Sequence, residues 1–260
     1  MSSFAPEIIT HIDSFPITNT FLNTLLVDSI LIGGAVAITK KISLLPGKLQ
    51  NAAEYLLETF YDMTYSIAKD RAKQIFPYFM TFFLFILVAN WSGLLPGVSS
   101  IGFFEEHQGK KELVPLMRAT SSDVNTTFAL AIISLVATHV MSIKTLGFKG
   151  YVNHFFSFTP IYFAPIFLFV GLLEIVSEFT KVVSLSFRLF GNIFAGEVVL
   201  TIVSGMFSFL LPLPFLLLEV IVGFVQALVF SMLTFVFMTI MTTPHHAEEH
   251  AKEVSKSNGV

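Results

Sequence analysis

An all-α integral membrane protein is encoded here, and three properties of the chain require it. Only 13% of its 260 residues are charged and 54% are hydrophobic, whereas a soluble domain averages about 25% charged. Five apolar segments are each long enough to cross a bilayer as a helix, which takes ~20 residues. The Lys and Arg residues between those segments gather on alternate sides. The absence of cysteine rules out disulfides and thiolate metal sites. A net charge of −3 carries no nucleic-acid signal.

Residues 1–20 hold no Lys or Arg and read as an external N-terminal segment. The first apolar run, 21–39, lacks a basic segment before it, so it is expected to be a retained span rather than a signal peptide. Residues 48–72 place Leu49, Ala52, Ala53, Leu56, Leu57 and Phe60 at helical spacing among Lys48, Glu54, Glu58 and Asp62. That pattern predicts an amphipathic helix on the inner surface, or one facing a partner. Further spans are expected at 77–96, 124–144, 161–203 and 212–243, with a short interfacial element at 146–160 and a polar cytoplasmic tail at 244–260. The loop cations number ten on one side against three on the other, namely Lys110, Lys111 and Arg118. Cytoplasmic loops carry such an excess. The N-terminus is therefore expected outside and the C-terminus inside, with the whole chain forming one membrane domain.

The last two segments exceed what a bilayer needs. As single helices they would extend about 64 Å and about 48 Å, against a hydrocarbon core about 30 Å thick. A strongly tilted hairpin over 161–243 takes up that excess. With Glu174 set at zero and ~100° per residue, Glu178, Lys181, Arg188 and Asn192 all fall within about 80° of arc. Glu197 falls near 140°, off this stripe, and so faces something else. On the last helix Glu219, Gly223 and Gln226 share one face, and Gly223 leaves room for another helix to approach. A turn centred near residue 208 brings Arg188 level with Gln226, and Glu197 level with Glu219, nearer the outside.

A charge at bilayer depth costs roughly 2.5 to 17 kcal/mol, so this grouping points to function. Carboxylates at two depths on either side of a fixed cation fit a split proton path. Glu197, Glu219 and Asn192 would take protons from outside; Glu174 and Glu178 would release them inside. Arg188 does not deprotonate. It blocks a continuous proton wire and attracts a mobile carboxylate on a partner. The purely structural alternative is that Glu174, Glu178 and Lys181 neutralise each other along one helix, or that Lys181 neutralises lipid headgroups. Arg188 has no acid at i±3 or i±4.

The run Ser-Leu-Ser-Phe-Arg-Leu-Phe-Gly-Asn-Ile-Phe-Ala-Gly-Glu at 184–197 closely resembles the signature of subunit a of the F-type ATP synthase membrane sector. Matches at 83–97 (Phe-Leu-Phe-Ile-Leu-Val-Ala-Asn-Trp-Ser-Gly-Leu-Leu-Pro-Gly), 122–127 (Ser-Asp-Val-Asn-Thr-Thr) and 219–230 (Glu-Val-Ile-Val-Gly-Phe-Val-Gln-Ala-Leu-Val-Phe) extend the resemblance in order along most of the chain. The resemblance implies that Arg188 faces the ion-binding carboxylates of a rotating c ring. It implies that Asn192, Glu197, Glu219 and Gln226 line the outer half-channel, with Glu174, and less directly Glu178, on the inner route. It further implies stator b subunits as partners, a bacterial plasma (inner) membrane, no cofactor and no catalytic site in this chain. Many members of that family pair an acid with a histidine at the levels of 197 and 219; here both are Glu. A phosphate-binding Gly-x-x-x-x-Gly-Lys-Ser/Thr loop is missing from the sequence, so no direct nucleotide binding is expected. The carboxylate-rich path, without a cage of cation-coordinating oxygens, favours H⁺ over Na⁺.

Other polar residues have two readings. Asp28, Asn90 and His139 are either relay groups or interhelical hydrogen bonders, and Asp123 with Asn125 reads as an N-cap. His246 and His250 have metal-ligand spacing, but with His245, Glu248 and Glu249 they read better as a solvated tail with no metal. A secondary ion transporter or channel acting alone would show inverted repeats and interrupted helices, and an intramembrane metallohydrolase would cluster His, Asp and Glu at one depth. The sequence offers neither pattern.

Overall fold

Apolar helices with alternating polar connections leave the chain few ways to fold in a bilayer, where backbone groups must be satisfied internally. The computed structural model describes residues 7–12, 15–40, 42–95, 101–107, 110–155, 164–206 and 211–243. Its helices are α1 (Asn19–Thr39), α2 (Lys48–Ala68), α3 (Ala72–Ser92), α4 (Val124–Phe155), α5 (Ala164–Met206) and α6 (Pro212–Met241). Among the described residues, five helical stretches are long and apolar enough to cross a membrane, with α2 and α3 forming one of them. The fold is all-α and membrane-embedded, as the composition requires. The polar tail at 244–260 and part of the interfacial element, 156–160, lie outside the described residues.

Two antiparallel hairpins were not expected. β1 (Ile8–Ile12) pairs with β2 (Phe15–Thr18), and β3 (Gly102–His107) with β4 (Lys110–Pro115). Both lie in connections that read only as external loops. The amphipathic helix ends at Ala68 rather than near 72, because Lys69 turns the chain at φ 48°. α4 runs beyond its expected end. Gly147 bends it at φ 74°, a conformation open to glycine. The piece after the bend folds back far enough for the Tyr151 hydroxyl to lie 3.2 Å from His139 Nδ1.

Helix ends meet in an alternating pattern. Asn23 of α1 donates to Ser92 Oγ at the end of α3 (2.8 Å) and to Thr120 Oγ1 before α4 (3.0 Å). Thr20 donates to Asp123 Oδ2 at 3.2 Å, while Asp123 Oδ1 caps α4 by accepting from the Asn125 N–H. At the other end Arg71, just before α3, donates to the Thr242 carbonyl at 2.5 Å, after α6. The start of α1, the end of α3 and the start of α4 therefore share one side, and the start of α3 and the end of α6 share the other.

The core is aromatic and lies between α3 and α6. Phe79 and Phe83 are fully buried and stack with ring planes 1° apart; Phe235 meets Phe79 edge-on, and Phe60 of α2 leans on Phe83 at 4.7 Å. Asn90 donates to the Gly223 carbonyl and Trp91 Nε1 to the Val220 carbonyl, each at 3.1 Å. The close approach prepared by Gly223 is thus to α3, where a Cβ would stand 3.3 Å from Asn90 Cβ.

Where α3 ends, Gly93 lies against Ala119. A Cβ at Gly93 would stand 2.5 Å from Ala119 Cβ and 3.0 Å from its Cα. Backbone cannot give way as a side-chain tip can. Gly93→Ala is therefore expected to destabilise the fold by about 1–3 kcal/mol, read as a lower midpoint for thermal unfolding in detergent.

Candidate functional site

The polar residues of α5 fall at successive levels. Toward the start of the helix Lys181 donates to Glu178 at 2.5 Å, one helical turn apart, and its ammonium sits 4.7 Å from the centre of the Phe237 ring on α6. Glu178 is buried in a crevice that Ser134 and Thr138 of α4 also line. Mutual neutralisation along one helix is thus the arrangement found for Glu178 and Lys181. Glu174 lies one turn further in and is half-buried.

Toward the end of α5 Glu197 points away from the stripe, as its helical phase requires. Its partner is Arg118, whose Nε lies 2.8 Å from Oε1 and 3.2 Å from Oε2. The Arg118 side chain is 8% exposed and that of Glu197 29%. Glu219 of α6 is buried at the same level. Its carboxylate occupies the space a side chain on Gly196 would need. Gly196 thereby lets α5 and α6 close around an acid.

Between these levels Asn192 donates to Gln226 Oε1 at 2.7 Å. Gln226 was expected opposite Arg188, one turn further in. The pairs Lys181/Phe237 and Asn192/Gln226 are each symmetric about residue 209. A later turn centre slides one helix along the other, so the level of Arg188 moves toward Phe230.

Arg188 itself is exposed, and among the described residues it makes no ion pair or side-chain hydrogen bond. Ser184, Gly191 and Ala195 are exposed on either side of it. They follow the i, i+4, i+7 rhythm of one helix face. The result is a single cation on a face of small residues, where another helix can come close.

The structure brings together Glu197 with Arg118, Glu219 with Gly196, and Asn192 with Gln226. It does not bring Arg188 to any of them. Arg118 is the residue that sequence reading counted only as an outer-loop charge. Its signal was indirect: Glu197 lay off the stripe and lacked an answering cation on the last two helices. Asn90 is an interhelical hydrogen bonder. The His139 ring meets the Tyr151 hydroxyl across the bend in α4.

A family model described as "ATP synthase A chain" matches residues 20–239. The chain is similar to ATP synthase subunit a of Moorella thermoacetica, at 34% identity over 94% of this chain and 100% of that protein. It is similar to ATP synthase subunit a of Geotalea daltonii, at 36% identity over 83% of each. A third relative, ATP synthase subunit a of Gloeobacter violaceus, is 36% identical over 83% of this chain and 80% of its own length.

The Gly196 contact is with the tip of a flexible side chain, so a small residue there displaces the Glu219 carboxylate without breaking the backbone packing. Gly196→Ala is expected to change stability by less than about 1 kcal/mol while raising the reaction of Glu219 with a carbodiimide several-fold, measured by peptide mass mapping.

Proposed function

The chain belongs to the ATP synthase A chain family, and from that premise we propose that it is the stator subunit through which protons reach and leave a rotor, along two offset half-channels separated by Arg188. It is an integral membrane protein and a membrane component of the ATP synthase. Its work there is ion transfer, with ATP chemistry left to other subunits.

Arg188 carries this reading. An exposed guanidinium within an apolar span costs several kcal/mol unless an acid meets it. Among the described residues Lys181 is paired with Glu178 and Arg118 with Glu197, and no acid pairs with Arg188. The acid that meets Arg188 then belongs to a partner, and the small residues Ser184, Gly191 and Ala195 leave room for its helix. A carboxylate on each subunit of a c ring fits that requirement. Arg188 holds the passing carboxylate ionised, and its own proton is not exchangeable. Protons cannot slip past it; they cross only on the rotor.

The outer route runs by Glu197 and Glu219 to the Asn192–Gln226 pair, one helical turn from Arg188. The inner route runs by Glu174 and Glu178, the latter held to Lys181. The excess of Lys and Arg in alternate loops supports the outside for the first of these routes and the cytoplasmic side for the second, the membrane being a bacterial plasma membrane on this reading. Membrane helices of the stator b subunits would cover other faces of the domain. H⁺ is the transported ion.

The test is proton flux in vesicles carrying the whole complex. Arg188→Ala is expected to abolish ATP-driven pumping to background, with passive conduction kept or raised once the soluble sector is stripped. Normal pumping by a fully assembled Arg188→Ala complex would return Arg188 to a structural role.

A further inference from the structure

We propose that Arg118 is a positioning residue for proton entry: it draws the Glu197 carboxylate toward the outer segment and sets the Glu197/Glu219 pair to carry one exchangeable proton. The inference rests on the outer half-channel described above and extends it to a residue from outside the last two helices. The guanidinium is buried and its support is rigid. Ala119 is pressed against Gly93, its carbonyl accepts from the Ser122 N–H at 3.0 Å, and Thr120 Oγ1 is held by Asn23 of α1 at 3.0 Å. Glu197 is the more exposed partner of the bridge, so the bridge has one open side.

Charge then fixes the occupancy. Glu219 lies against Gly196, the neighbour of Glu197. Two ionised carboxylates at one level repel, and a buried net charge is costly. One guanidinium balances one of them, so the neutral cluster holds a single proton. Without Arg118 the pair would lose its one fixed cation among the described residues, and Glu197 its anchor toward the entrance.

The experiment measures passive proton conduction by the whole membrane sector in vesicles after removal of the soluble sector, normalised to assembled complex. Arg118→Gln is expected to conduct about tenfold less than wild type or worse, as misplacement of a transfer group does. Arg118→Lys, which keeps the charge, should fall between them. In a Glu197→Gln background, Arg118→Gln should add no further loss. The double variant leaves neither charge unpaired and decides the matter if Arg118→Gln alone does not assemble. Equal conduction by the Lys and Gln variants, or a further loss in the double variant, would overturn the proposal. Slowed Glu197→Gln beside wild-type Arg118→Gln would overturn it while leaving the half-channel standing. Wild-type conduction by Glu197→Gln would sink the half-channel reading and this one with it.

Discussion

A bilayer core has no water to complete a hydrogen bond, so each polar group on these helices must be met by another part of the protein. The interhelical polar contacts follow from that constraint. Ser134 of α4 meets Thr234 of α6 at 2.8 Å, and Thr127 of α4 meets Ser186 of α5 at 3.0 Å. Asn90 and Trp91 of α3 donate to carbonyls of α6. Ser142 donates to the Met241 carbonyl at the end of α6, and Arg71 to that of Thr242. Each such bond averages about 0.6 kcal/mol. Their joint effect is to fix register: slipping one helix by a turn would strand several of them at once. The stacked phenylalanines supply bulk packing that tolerates small shifts; the hydrogen bonds do not.

The same constraint singles out Arg188. Of the other charges on α5, Lys181 is answered by Glu178 on the stripe and Glu197, off it, by Arg118. Arg188 is left exposed on a face of small residues. In water this would mean nothing, because surface cations are ordinary. In hydrocarbon it demands an anion, and the chain keeps none for it among the described residues. A requirement that the chain itself does not meet becomes a specification of its partner.

The sequence made the spans legible because apolar runs of ~20 residues have no soluble explanation. It made the stripe on α5 legible because helical phase needs only residue spacing. Three things were not legible, for separate reasons. The two hairpins lack strong strand patterning and lie outside the apolar spans. The level of Arg188 depended on the turn centre, and one residue of error there shifts a facing helix by two. Arg118 was invisible as a partner because it lies 79 positions before Glu197, and no periodicity relates a loop residue to a helix. The off-stripe phase of Glu197 required a partner without saying where it was.

The length of α5 explains why that partner had to come from a loop. Ser186 already lies beside Thr127, near the start of α4. The 20 residues of α5 beyond it extend about 30 Å more. α4 is too short to cover them, and α5 runs out past it. Among the described residues, the polar groups on that half are met by α6, which supplies Glu219 and Gln226, and by the connection between α3 and α4. Gly93, packed on Ala119, fixes that connection against the end of α3 and delivers Arg118 to Glu197. A helix that outruns its neighbour in this way needs a structured connection to shield one side of it. That shielding leaves the opposite face, with Arg188, exposed.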